Sequence, residues 1–317
     1  MDRSIVIIFY NALLLTSAVV GYVARRRGWL KREHASIFMV VAMLAFETPL
    51  GLLSVWRLKM ESGTWLMPLV GAALAGVMLL AGLALSRPLR LTRLQIPSFA
   101  TSASASNIGY TLAGFIALAM IGVDGLGYLF IYVLFGPFFL FLAYFSIAQH
   151  YTSNEPPHPL VLLWKSVTDI RALPLYGVIA GIILNQAGVP YPEELLGRVH
   201  VIDVLFAGGI IASYTAIGVS VVFSAMRPYL RQSVVICVLK FVAAPLVMFG
   251  MVSALGFTGS VRQLCLLQSF MPSAVQSVIV ATFFGTDRDL AVTNFLVSHA
   301  VLLAVVLPFV LPWAIHL

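Results

Sequence analysis

The chain has 317 residues, of which 61% are hydrophobic and only 10% are charged, and its mean hydropathy is +1.00. So much apolar sequence predicts an all-α polytopic membrane protein and excludes a fold built around one soluble core. The net charge of +7 would suggest nucleic acid in a soluble domain, but here the basic residues lie in short segments between apolar runs, so no nucleic-acid partner is expected.

Runs of about twenty apolar residues predict ten membrane-spanning helices surrounded by lipid. In chain order they cover residues 5–24, 35–56, 66–85, 97–120, 126–148, 174–186, 200–223, 234–252, 263–284 and 290–315. The sixth run is short for a full crossing. The long polar connection, residues 150–173, contains the amphipathic stretch LVLLWKSVTDI and predicts a cytoplasmic linker that lies on the membrane.

The distribution of basic residues predicts the orientation. With the N-terminus outside, thirteen of the 19 basic residues fall in inner segments and five in outer segments, and Lys240 remains inside a span. Because cytoplasmic loops carry the excess of lysine and arginine, both termini are expected outside a cell membrane. The first basic cluster follows the first apolar run instead of preceding it, which is not the order of a cleaved signal peptide.

An internal repeat relates the two halves of the chain. Gly21 and Gly28 recur as Gly181 and Gly188, at an offset of 160 residues, and the same offset places the first five spans on the last five. Each half has an odd number of crossings, so the second half would be inverted in the membrane. Residues 1–149 and 174–317 are therefore predicted to be two inverted five-helix repeats, as in secondary transporters.

Polar breaks interrupt the fourth and ninth spans near the middle of the membrane, at TSASASNIG (residues 101–109) and QSFMPSAVQS (residues 268–277). Paired interruptions of this kind indicate a transporter's binding site. Pro272 removes a backbone donor, and the freed backbone groups are tolerated only against protein or a wet cavity. The half-helix that restarts after a break has a positive dipole end, which suits a carboxylate.

Short polar side chains in the breaks are expected to complete the ligand shell together with Lys240. The substrate-binding residues predicted on this basis are Ser104, Ser106, Asn107, Pro272, Ser273, Gln276 and Lys240. The alternative is structural: small residues would let helices approach closely, and the proline would only kink one of them.

Ionisable residues at mid-depth are candidates for function, because Lys240 and Glu47 would each cost about 2.5 to 3.5 kcal/mol if they faced lipid, whereas His299 is cheaper because it can be neutral. Lys240 could be a fixed cation near an anionic substrate, Glu47 a proton-coupling carboxylate, and His299 a relay. A Glu47–Lys240 pair that only joins two helices is the structural alternative. Cys237 and Cys265 have no CxxC spacing, so they are expected to be packing residues, with no metal site.

Three stretches resemble the auxin efflux carrier family of permeases: SNIGYTLAG in the fourth span, GIILNQAGVPYPEELL at the end of the sixth, and MPSAVQSVIVATFFGTDRDLA in the ninth. The resemblance implies two inverted five-helix repeats whose fourth and ninth helices unwind and cross, a fold shared with bile-acid and sodium/proton carriers. It also implies a substrate such as auxin, malate or malonate.

The family's patterns in the two breaks match this chain in part. Asn107 and Gly109 match the first positions of N-x-G-x-x-G-x-P, and the resemblance adds Gly109 to the predicted site, whereas Leu112 and Gly114 depart from its second glycine and its proline. In the family's M-P-T-A-V-N, the threonine is Ser273 here and the asparagine is Gln276.

The predicted function is therefore a secondary transporter of a small organic anion, a mono- or dicarboxylate, working by alternating access without a cofactor. Either H⁺ or Na⁺ could be the coupling ion, and a homodimer is a possible assembly. The alternatives from other classes are a transporter-like metabolite receptor and an intramembrane enzyme. The enzyme is disfavoured because the chain has no H-E-x-x-H, no G-x-S-x-G and no acidic metal pair at helical spacing.

Overall fold

The computed structural model describes residues 3–153, 161, 164, 167–198, 200–220 and 226–314. Within these ranges every regular element is a helix, and the only β-pairing is an isolated antiparallel bridge between Ser106 and Ser273. The all-α prediction is confirmed. Much of the predicted linker, and the C-terminal ends of the predicted seventh and tenth spans, lie outside the described residues.

The α-helices are labelled in chain order. In the first half they are α1 (Arg3–Arg26), α2 (His34–Val41), α3 (Thr48–Trp56), α4 (Met67–Ser86), α5 (Gln95–Ser104), α6 (Phe115–Met120), α7 (Val123–Tyr132), α8 (Gly136–Phe139) and α9 (Ser146–Thr152). In the second half they are α10 (Leu173–Gln186), α11 (Glu193–Arg198), α12 (Val201–Ser220), α13 (Leu230–Val238), α14 (Ala244–Ala254), α15 (Gly259–Ser269), α16 (Val275–Phe284), α17 (Arg288–Val301) and α18 (Leu311–Ala314).

Seven helical stretches of the described chain are long and apolar enough to cross a membrane, judged by length and composition. They are Ile8–Arg26, His34–Trp56, Thr64–Ser86, Val123–Thr152, Val201–Ser220, Arg227–Ala254 and Arg288–Val310. Three shorter apolar helices are Tyr110–Met120, Leu173–Gln186 and Val275–Phe284. Both predicted breaks are present, since α5 ends before Tyr110–Met120 begins and α15 ends before α16 begins.

Several long helices contain a wider π-helical segment: Ala42–Glu47, Tyr110–Gly114, Leu140–Phe145, Leu239–Ala243 and Leu302–Val310. Pro49 and Pro245 follow two of these segments within the first residues of α3 and α14, and Pro308 lies inside a third. Proline cannot donate a hydrogen bond to the preceding turn, and a π-turn is one way for a helix to accommodate the lost bond. Glu47 and Lys240 both lie in π-segments, which are frequent at functional sites.

The chain forms two compact units. The first consists of Met1–Met60, Gly109–Ile131 and Asp169–Val222. In it α1 packs along α12, and α3 packs along α10. Glycines allow these close contacts: a Cβ on Gly181 would lie 2.6 Å from the Leu52 carbonyl oxygen, and a Cβ on Gly21 would overlap the Thr215 carbonyl.

The second unit consists of Glu61–Ile108, Tyr132–Thr168 and Phe223–Leu317. Helix α17 is central to it, because α17 packs against α5, α13 and α16. Its apolar core includes Phe99 and Ala103 of α5 and Leu290 at the start of α17, all of them fully buried. This unit holds α5, α15, α16 and the extended segment of each break up to Ile108 and Ala274, so the two interrupted chain segments meet within one packed body.

Candidate functional site

The two interrupted segments cross each other in the second unit. Beyond α5 the chain becomes extended at Ala105, and before α16 it is extended at Ala274. Asn107 N donates to Pro272 O over 2.7 Å, and Ala274 N donates to Ala105 O over 2.9 Å. These two bonds satisfy backbone groups that have left their helices, as the interior of a membrane protein requires. We call residues 104–108 and 270–274 the crossing.

Lys240 caps the end of α5. Its side chain, which is fully buried, leaves the π-segment Leu239–Ala243, and Nζ donates to Ser104 O (3.2 Å), Ala105 O (3.0 Å) and Ser106 Oγ (2.8 Å). The last carbonyls of a helix have no partner within it and carry partial negative charge. An ammonium has three donors, so Lys240 uses all of them on the crossing.

Asn107 contacts His299 of α17 across the crossing. His299 Nδ1 lies 2.8 Å from Phe295 O, and because a carbonyl oxygen can only accept, Nδ1 carries the hydrogen. The other ring nitrogen, Nε2, then accepts from Asn107 Nδ2 over 2.9 Å. His299 is 9% exposed, whereas the Asn107 side chain is only partly buried. This contact joins a predicted substrate ligand to the predicted relay.

Two of the predicted serines use their hydroxyls to pack the crossing. Ser104 Oγ donates to Ala75 O over 2.6 Å and lies 3.0 Å from Tyr144 Oη, while Ser273 Oγ donates to Ser102 O over 2.8 Å. Both serines are buried. Their positions are those of groups that hold helices together, and a ligand would reach them only after a rearrangement.

Residues that the sequence did not mark as ligands also support the crossing. Ser298 Oγ accepts a hydrogen bond from Ser273 N over 3.1 Å, and Gln268 Nε2 donates to Ile108 O over 3.3 Å. Gln268 lies at the start of the ninth-span break, so its polarity was visible in the sequence. Ser298 precedes His299 inside an apolar helix, and only the three-dimensional contact reveals its role.

The accessible part of the predicted site is small. Ser106 and Asn107 are partly exposed, and Gln276 in the first turn of α16 is exposed. Pro272 is buried and contributes its carbonyl to the crossing. Gly109, with extended backbone, is partly exposed and begins a segment of the first unit. A ligand at the crossing would therefore meet Ser106 and Asn107 first.

Glu47 belongs to the first unit, whereas Lys240 belongs to the second. Glu47 is partly buried at the end of the π-segment Ala42–Glu47, where Tyr110 Oη lies 3.4 Å from Ala42 O. The structure places Glu47 among the helices of its own unit, and the donors of Lys240 are taken by oxygens of the crossing. A Glu47–Lys240 pair is not needed to satisfy the ammonium.

Potential metal ligands are scattered in the part of the chain that the structure describes. His, Cys, Asp and Glu residues in these ranges form no group of three that could hold a metal ion. Cys237 is partly buried and Cys265 is buried, and both are free thiols. Among the described residues, Lys240 is the only Lys, Arg, Asp or Glu side chain that is buried.

Comparison with protein families gives a match over most of the chain. A family model described as "Membrane transport protein" matches residues 7–311, a range that includes both breaks, Lys240 and His299. No curated protein matches the chain.

Proposed function

Because the chain belongs to the membrane transport protein family, which is the auxin efflux carrier family, we propose that this multi-pass membrane protein is a secondary transporter of a small organic anion. The substrate class is a mono- or dicarboxylate, and the mechanism is alternating access across the cell membrane. The resemblance noted in the sequence is confirmed by the family match.

The position of Lys240, a basic residue whose Nζ lies at the crossing, is the observation that supports an anionic substrate. Its three hydrogen bonds go to uncharged oxygens, so they do not cancel the positive charge. The ends of α5 and α15 each offset roughly half a charge, and the start of α16 adds a partial positive charge of similar size, which leaves about half a positive charge. The crossing is therefore electropositive, and a carboxylate is the ligand that such a place favours.

Asn107 and Ser106 are the proposed polar contacts of the substrate, because they are the accessible polar side chains of the crossing. Gln276, exposed in the first turn of α16, is the third proposed contact. Pro272 and Ser273 would keep the ninth helix open, and His299 would act as a relay through its contact with Asn107. Glu47 remains a candidate for coupling within the first unit. H⁺ and Na⁺ are both candidate coupling ions.

The proposed architecture is ten helices in two inverted repeats, residues 1–149 and 174–317, with both termini outside. Reciprocal packing supports it: the offset of 160 carries α1 onto α10 and α3 onto α12, and the observed pairs are α1 with α12 and α10 with α3. Gly21 packs on Thr215, and a Cβ on Gly181 would lie 3.1 Å from Cβ of Val55, which is 160 residues before Thr215. The two compact units support alternating access, which needs two bodies that can move.

A binding screen followed by flux measurements tests the proposal. Purified protein is heated with a panel of small carboxylates and with the matching primary amides, which keep the shape and lack the charge. At least one carboxylate should raise the melting temperature, and its amide should not, because only bound ligand stabilises the folded state. The same carboxylate should accumulate in proteoliposomes under an H⁺ gradient, a Na⁺ gradient or its own gradient. Absence of flux under all three would refute a transporter of that anion.

A further inference from the structure

The oxygens around Lys240 have the composition of a cation site. Two backbone carbonyls and one hydroxyl surround Nζ at 2.8 to 3.2 Å. Oxygens of this kind are the ligands that hard cations take in proteins. The Lys240 side chain is fully buried, and Ser106, which supplies the hydroxyl, is partly exposed.

The site is created by the break in α5. Ser104 is the last residue of α5 and the chain becomes extended at Ala105, so the carbonyls of both residues lack the donors that a continuing helix would supply. Ala105 O has a second partner in Ala274 N. Ser104 O lies at the negative end of the helix dipole, where a cationic donor is favourable.

We propose that these three oxygens form a monovalent-cation site that the protein fills with its own Lys240 ammonium. The lysine is thus a positioning residue of the crossing, whose charge reaches the substrate through space. One consequence concerns coupling and rests on the proposed transport function: the protein does not need to bind a free Na⁺ at the crossing, because a tethered cation already occupies that position.

Two substitutions separate a cation site from simple packing. Lys240→Ala removes the ammonium and leaves its volume open, whereas Lys240→Met removes the charge and fills most of the volume. Melting temperatures are measured in the chloride salts of choline, sodium, ammonium and methylammonium, at one ionic strength of about 0.2 M so that screening is constant. Choline serves as the cation that is too large to enter.

Ammonium or methylammonium should raise the melting temperature of Lys240→Ala by about 3 °C or more over choline, because bound cation stabilises the folded state. Ammonium and methylammonium should not raise the melting temperature of Lys240→Met or of the wild type, because a side chain fills the site in both proteins. Adding Ser106→Ala to Lys240→Ala removes one ligand and should reduce the response.

Equal melting temperatures of Lys240→Ala in all four salts would refute the proposed cation site. So would a wild type whose melting temperature rises with ammonium or methylammonium as much as that of the variant. If Lys240→Ala cannot be purified in choline, recovery of folded protein in ammonium supports the site, and loss of the protein in every salt contradicts it.

Flux measurements separate this inference from the proposed function. With ammonium at equal concentration on both sides of the membrane, the carboxylate flux of Lys240→Ala should be at least tenfold higher than its flux in choline. Wild-type flux should be unchanged when choline replaces sodium, and a wild type that requires sodium at the crossing would overturn the coupling claim. A cation response in melting without carboxylate flux in any variant would leave the site standing and remove the transport function.

Discussion

Asn107→Ala probes whether the accessible side chain of the crossing binds the substrate. In the resting structure this change removes the hydrogen bond to His299 Nε2 and leaves that nitrogen without its donor. A buried acceptor left unpaired costs about 1–3 kcal/mol, and the lower end applies because Asn107 is partly exposed and water can replace its amide. A loss of about 1 kcal/mol lowers the melting temperature of a protein this large by only about 2–4 °C.

The effect on transport should be larger than this loss of stability. If the Asn107 amide donates to a substrate carboxylate, the bond is charge-assisted and contributes about 1.5–3 kcal/mol, which corresponds to a loss of about 10- to 150-fold in apparent affinity. Thermal melting gives the stability, and uptake into proteoliposomes over a range of substrate concentrations gives the affinity and the maximal flux for the same preparation.

Ser298→Ala is the matched control. Ser298 Oγ also holds one hydrogen bond at the crossing, from Ser273 N, but it is fully buried and out of reach of a ligand. Its loss should lower the melting temperature to a similar extent and change the flux per folded molecule by less than about threefold. Equal flux in Asn107→Ala, Ser298→Ala and the wild type would refute the assignment of Asn107 to the substrate site.

Two further predictions concern the architecture. Gly21→Ala and Gly181→Ala should each destabilise the protein by about 1–3 kcal/mol through overpacking, as measured by thermal unfolding. Gly250→Ala is the control: a Cβ there meets nothing within 4 Å, so this change should stabilise helix α14 by about 0.5–1 kcal/mol. Similar changes in stability at all three positions would argue against the close helix pairs. In a cysteine-free protein, Ser260→Cys should react with an impermeant thiol reagent added to intact cells and Gly28→Cys should not, and the opposite labelling would invert the proposed orientation.

The roles within the crossing show what sequence reasoning could reach. The short polar stretches predicted both breaks, because a proline and a run of serines inside an apolar helix violate a local rule that needs no partner. The same reasoning grouped Ser104 and Ser106 as equivalent ligands. The structure separates them: Ser104 binds Ala75 and Tyr144 inside the unit, whereas Ser106 receives Lys240 and remains partly exposed.

The sequence by itself determined the membrane class, the positions of the apolar runs and the family, since hydropathy and proline effects act over a few residues. Only the tertiary structure decided which side chains meet. Asn107 and His299 are 192 residues apart in the sequence. Lys240 lies in a π-segment, where the regular α-helical spacing no longer predicts the direction of a side chain. Contacts between distant segments depend on how each helix is rotated and where its register shifts, and those quantities are set by packing across the whole unit.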